Sequence, residues 1–147
     1  MNTNTVEVLL VEDNMSDAEL TIRELKKHHM ANHLVHVING EEALEFIFAT
    51  GRFKEMRAYT ANPKLILLDI QMPKINGIEV LEKIKTDPKT KSIPVVILTS
   101  SKENPDIEKC YNLGANSYIV KPVNFENFSG AIKNLGFYWL LLNQPPL

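Results

Sequence analysis

Two stretches of this sequence, "KLILLD" (64–69) and "IPVVILT" (93–99), are almost unbroken aliphatic runs. A strand with one wet face alternates apolar and polar residues, so runs like these belong to strands covered on both faces. That requirement calls for a parallel sheet with helices on each side, and the rest of the chain supplies them. Further strands are predicted at "VEVLLV" (6–11), at "HLVHVI" (33–38), whose more polar face suits an edge, and at "SYIV" (117–120). A helix is predicted over 16–29, with Ser16 as N-cap and Ala18, Ile22, Leu25 and His29 on one face. A second runs over 40–50 and is closed by Gly51. A third, over 77–87, gathers Val80, Leu81 and Ile84 on one side. A fourth spans 104–114, with Asn104 before Pro105 at its start and Gly114 beyond its end. The last runs from about Asn124 to Leu142, with Phe125, Phe128, Ile132, Leu135, Trp139 and Leu142 spaced by three and four. Alternation of this kind implies right-handed crossovers in a doubly wound α/β fold.

The 147 residues suit a single domain, and 44% hydrophobic residues are enough for an ordinary core. A net charge of −2 with no strongly basic face does not imply nucleic acid. The lone Cys110 allows neither an internal disulfide nor a CxxC site. The opening "MNTNTVEVLLVED" lacks the basic start and long apolar segment of a signal peptide, and "FYWLLL" (137–142) is far short of a membrane span. A reducing compartment, most simply the cytoplasm, is expected, which makes the N-x-S triplets at Asn14 and Asn127 chance matches. The one loose segment is 51–63, and connections that long are usually functional or mobile.

In a doubly wound sheet, sites form outside the carboxyl ends of the strands. The first strand ends in Glu12-Asp13, the third in Asp69 and the fourth in Thr99-Ser100-Ser101; Lys121-Pro122 follows the fifth. Taken singly, an Asp or Ser there often just caps the next helix, and a lone Lys is often a solvated charge. Four strand ends showing these types together argue against coincidence. Three carboxylates about 4 Å apart repel by roughly 4 kcal/mol per pair at an effective dielectric near 20. Lys121 offsets one of the three negative charges, and a divalent cation matches the remaining two. Hard oxygen ligands without His or Cys point to Mg²⁺.

The sequence resembles a response-regulator receiver domain, the phosphoacceptor half of two-component signalling. The resemblance rests on "LLVEDN" (9–14), "LLLDIQMPKINGIEV" (66–80), "IPVVILTSS" (93–101) and "GANSYIVKP" (114–122), in order along nearly the whole chain. It implies a flavodoxin-like five-stranded parallel sheet of order 2-1-3-4-5. Its core occupies about 5–135, followed by a helical extension over 136–147. It also implies that Asp69 accepts a phosphoryl group from a histidine kinase. Asp13, Asp69 and the Gln71 carbonyl are then metal ligands, and Glu12 reaches the ion through water. Thr99 contacts the phosphoryl group, Lys121 pairs with it, Pro122 follows a cis peptide, and Tyr118 is the aromatic that turns inward when Thr99 moves. Gly77 opens the third helix where a side chain would obstruct the turn.

His28, His29, His33 and His36 cluster near the first helix end, remote from the acidic rim; Cys110 packs beneath the fourth helix, and Tyr59 reads as a partly exposed aromatic. What lies outside the receiver segment is too short for a DNA-binding or enzymatic output domain. A stand-alone regulator is therefore expected, catalysing only its own phosphorylation and dephosphorylation. The long connection and aromatic tail resemble regulators that pair with bacterial phytochromes. With "FYWLLL" apolar on every side, a homodimer through the last helix is expected. Two other classes stay open: an unphosphorylated scaffold, and a haloacid-dehalogenase-type hydrolase. The latter expects D-x-D, whereas Gln71 stands two places after Asp69.

Overall fold

The computed structural model describes residues 6–27, 33–100 and 105–135. His28, His29, Ser101, Asn104, Trp139, Leu142 and the 137–142 run lie outside the described residues, as do the side chains of Ile132 and Leu135. In chain order the elements are β1 (Val8–Val11), α1 (Met15–Lys27), β2 (Leu34–Val37), α2 (Gly40–Ile47), a 3₁₀ turn (Gly51–Phe53) and β3 (Leu65–Asp69). They continue with α3 (Gly77–Thr86), β4 (Val95–Thr99), α4 (Asp106–Leu113), β5 (Ser117–Val120) and α5 (Phe125–Leu135). The five strands form one parallel sheet of order β2-β1-β3-β4-β5, as expected, with β2 at an edge.

Period-two alternation divides the buried strands between two cores. Leu9, Val11, Ile66, Leu68, Val95 and Ile97 pack against Phe46 of α2, Val80, Leu81 and Ile84 of α3, and Cys110 of α4. Val8, Leu10, Leu65, Leu67, Val96 and Leu98 pack against Ala18 and Leu25 of α1 and Phe128 of α5. Val8–Val11, Leu65–Asp69 and Val95–Thr99 are buried throughout, which is why their sequences read as unbroken apolar runs.

Several expectations need correction. The N-cap of α1 is Asn14, not Ser16: its Oδ1 accepts from Asp17 N at 2.9 Å and its carbonyl from Ala18 N at 2.9 Å. Both residue types cap well, and Ser16 falls inside the helix. Helix α2 stops at Ile47, short of Gly51, because Ala49 takes a left-handed φ of 56°. Thr50 N then donates to the Glu45 carbonyl at 2.9 Å, and Gly51 opens the 3₁₀ turn. Such a stop usually carries Gly or Asn, so an alanine gave no signal.

The 51–63 connection is anchored rather than loose. Arg57 is buried and donates to the Phe46 and Ile47 carbonyls (2.8 and 3.2 Å), the Ala61 carbonyl (3.1 Å), Asn62 Oδ1 (3.2 Å) and Thr60 Oγ1 (3.0 Å). Its guanidinium lies 5.1 Å over the Phe46 ring, which Phe53 meets edge-on at 5.2 Å. Tyr59, at 94% exposure, is fully exposed rather than partly so. Among the described residues no helix is long and apolar enough to cross a membrane.

Candidate functional site

Register builds the site. Val11 pairs with Leu68 across β1 and β3, so Glu12 emerges beside Asp69. Asp69 pairs with Leu98 and Thr99 with Val120, which brings Thr99 and Lys121 to the same rim. The Lys121 N–H donates to the Thr99 carbonyl at 2.7 Å, and the Lys121–Pro122 peptide is cis, as the resemblance implies. Helix α3 starts at this rim with Gly77, capped by Asn76 Oδ1 accepting from Glu79 N at 3.0 Å. A Cβ on Gly77 would lie 2.6 Å from Ile70 Cα and closer still to the Asp69 carbonyl oxygen, so the turn does demand glycine.

Carboxylate oxygens of Glu12, Asp13 and Asp69 converge within 4.8 Å of one another. Glu12 and Asp69 are buried and Asp13 is exposed, so the cluster opens to solvent on the Asp13 side. Three hard oxygen donors in so small a space are able to hold a divalent cation of the Mg²⁺ type, which keeps several of its waters. Gln71 is also at the rim: its backbone N–H donates to Asp69 Oδ1 at 2.9 Å, and its side-chain Oε1 accepts from Ser100 Oγ at 3.3 Å.

Lys121 Nζ lies 2.8 Å from Glu12 Oε1, 3.2 Å from Asp17 Oδ2 and 3.4 Å from Asp69 Oδ2. The Asp17 and Asp69 contacts have hydrogen-bond geometry; the shorter Glu12 contact is an ion pair with poor angles, leaving Oε1 without a directed donor. Burial opposes the charge on Lys121, but Glu12, Asp69 and Asp17 outweigh it and hold the ammonium above its ordinary pKa. Asp69 shows the reverse balance. Burial raises its pKa from 3.8 to about 7, with the Glu12 carboxylate adding and the Gln71 N–H and Lys121 opposing.

The structure thus brings together Glu12, Asp13, Asp69, Gln71, Thr99 and Lys121. Tyr118 stands apart on β5, 38% exposed, its ring edge-on to Tyr111 of α4 at 6.1 Å. Cys110 is buried, as expected, and burial pushes its thiol up to about 11. Sequence reading missed two neighbours of the site. Asp17 reaches Lys121 from the first turn of α1. His36, expected far from the rim, has Nε2 2.8 Å from the Glu12 carbonyl, which requires the proton on that nitrogen. The sequence carried no local signal for this, because the β1–β2 register that sets His36 opposite Leu10 appears only in the fold.

This geometry is accompanied by a family match. The response regulator receiver domain model matches residues 8–133, and the chain belongs to that family. It is 35% identical to response regulator Rcp1 of Synechocystis sp. over 90% of this chain and 88% of that protein. It is 34% identical to the probable methanogenesis regulatory protein FilR2 of Methanothrix harundinacea, over 95% and 86%. Among solved structures, the bacteriophytochrome response regulator RtBRR is 44% identical with a TM-score of 0.84, covering 97% of this chain and 84% of that one. The Mn(2+)-bound form of Rcp1 is 33% identical with a TM-score of 0.72, covering 97% and 98%.

Proposed function

We propose that this receiver takes a phosphoryl group from a histidine kinase onto Asp69 and signals through a changed protein-binding surface. The observation that carries this reading is the setting of Asp69. It sits at the tip of a buried central strand, with Glu12 and Asp13 oxygens within 4.8 Å and Lys121 Nζ at 3.4 Å. Asp69 Oδ1 accepts the Gln71 N–H, which leaves Oδ2, the oxygen facing Lys121, to attack phosphorus. Lys121 then meets the negative charge of the transferred group, and Thr99 contacts it from the end of β4. Glu12, Asp13 and Asp69, with the Gln71 carbonyl, would hold Mg²⁺, which supplies charge neutralisation to the transferring phosphate. The Mn(2+)-bound form of Rcp1 supports a divalent ion at such a site.

The bound phosphoryl group adds about −1.5 to −2 charge. Thr99 and Tyr118 then repack the face made by α4, β5 and α5, with Tyr118 leaving its contact with Tyr111. The protein is not otherwise an enzyme and works in the cytoplasm. Its kinase is of the phytochrome type, as the likeness to the bacteriophytochrome response regulator RtBRR supports. A homodimer through the apolar 137–142 run completes the reading. Mass spectrometry after incubation with acetyl phosphate and Mg²⁺ tests the central claim. The wild type gains one labile phosphate and Asp69→Asn gains none; equal uptake by the variant refutes the assignment. Sedimentation of the full chain against one ending at Gly136 tests the dimer, and equal monomer masses at tens of micromolar refute it.

A further inference from the structure

We propose that Asp17 is a positioning residue that restrains Lys121 until phosphorylation. The inference rests on the phosphoacceptor reading above. An ammonium carries three N–H donors, and Lys121 faces three carboxylates, those of Glu12, Asp17 and Asp69. Two of its donors are hydrogen-bonded, to Asp17 and Asp69, while Glu12 holds it as an ion pair at 2.8 Å. A phosphoryl oxygen arriving at Lys121 therefore competes with carboxylates that already hold it.

The three acids differ in how readily they let go. Glu12 has a side chain 1% exposed and Asp69 one 3% exposed, so either of them left without its cation strands a buried charge. Asp17 has a side chain 40% exposed, and water solvates it as Lys121 departs. Nor does Asp17 belong to the converging group of Glu12, Asp13 and Asp69. Its place is fixed all the same, because the Asp17 N–H donates to Asn14 Oδ1 at 2.9 Å while the Asn14 N–H donates to Glu12 Oε2 at 3.2 Å. The first turn of α1 is thereby tied to the acidic loop, and Asp17 pulls Lys121 from the solvent side.

In the reaction with acetyl phosphate, an Asp69 oxygen forms the new bond to phosphorus. The bond between phosphorus and the acetate oxygen breaks, and acetate leaves with its electron pair. No proton moves: Lys121 stays charged and passes one hydrogen bond from Asp17 to a phosphoryl oxygen. The strength of the Asp17 pair therefore sets part of the barrier.

Phosphorylation rates with acetyl phosphate at saturating Mg²⁺ test this in wild type, Asp17→Asn, Asp17→Ser and Asp17→Glu. The same Asp17→Asn change is also made in a Lys121→Met background. The neutral variants are expected to react about two- to fivefold faster, the range of a partly exposed ion pair. Asp17→Glu retains the restraint and stays near the wild-type rate. Without Lys121 the acceleration vanishes. Neutral variants no faster than wild type overturn the inference, and so does equal acceleration in the Lys121→Met background, which marks a general charge effect. A wild type that takes up no phosphate sinks the phosphoacceptor reading as well; normal uptake with unresponsive Asp17 variants sinks the inference alone.

Discussion

Replacing Asp69 with asparagine should make the metal-free protein more stable, and the gain should depend on pH in a defined direction. Asp69 is 2% exposed, and its pKa rises from 3.8 to about 7 in the fold. A raised carboxyl pKa means that the folded state holds its proton more tightly than the unfolded chain does. Stability is therefore lost as pH rises from the unfolded pKa near 3.8 toward the folded value near 7, and it levels off above that. At 1.36 kcal/mol per pKa unit the full penalty is about 4 kcal/mol, of which about 2–3 kcal/mol accrues between pH 5 and pH 8. Asparagine keeps an acceptor for the Gln71 N–H but carries no charge to bury.

Urea unfolding of wild type and Asp69→Asn in EDTA, from pH 5 to pH 8, reads this directly. Other titrating groups affect both proteins, so the difference between the two curves isolates Asp69 and its coupling to Glu12. The gap should widen by about 2–3 kcal/mol toward pH 8. Adding Mg²⁺ at pH 8 should raise the wild-type midpoint and close part of the gap. Parallel curves, or a gap that narrows as pH rises, would refute the reasoning that burial and Glu12 hold the charged form off.

Other perturbations separate the site from its frame. Asp13→Ala relieves repulsion at an exposed position, so metal-free stability should hold or rise by up to about 1 kcal/mol while Mg²⁺ no longer shifts the urea midpoint. Gly77→Ala drives a Cβ into the Asp69 carbonyl and Ile70 Cα; a loss of about 1–3 kcal/mol in thermal unfolding is expected, with slower uptake from acetyl phosphate. Arg57→Ala strands the Phe46 and Ile47 carbonyls and should cost about 2–4 kcal/mol in urea unfolding. Arg57→Lys should restore little of that, since one ammonium cannot span the acceptors the guanidinium reaches.

What the sequence revealed, and what it concealed, follows from which physical signals are local. Strands buried on both faces announce themselves in composition, and the runs read over 64–69 and 93–99 contain β3 and β4, buried throughout. The α3 stripe of Val80, Leu81 and Ile84 is likewise a local period and is buried as read. Asp17 was illegible because an acid in the first turn of a helix is unremarkable until register brings Lys121 to it. Arg57 looked like one more solvated charge in a polar connection; its partners are carbonyls, which no side-chain pattern displays. The left-handed turn that ends α2 falls on Ala49, where the residue type gives no hint.

The sequence poses Asp69 as either the cap of the next turn or the working residue of a site, and in the structure its two carboxylate oxygens face different partners. Oδ1 accepts the Gln71 N–H at 2.9 Å, a turn contact like that of any aspartate after a strand. That bond fixes the rotation of the group, and the fixed rotation aims Oδ2 at Lys121. The local contact thus supplies the orientation that the proposed phosphoacceptor role needs. Gly77 belongs to the same arrangement, because only without a Cβ does α3 begin close enough to hold the Asp69–Ile70 backbone in place. Glutamate at position 69 would keep the charge but set its oxygens one methylene further out, losing the turn bond and the aim together.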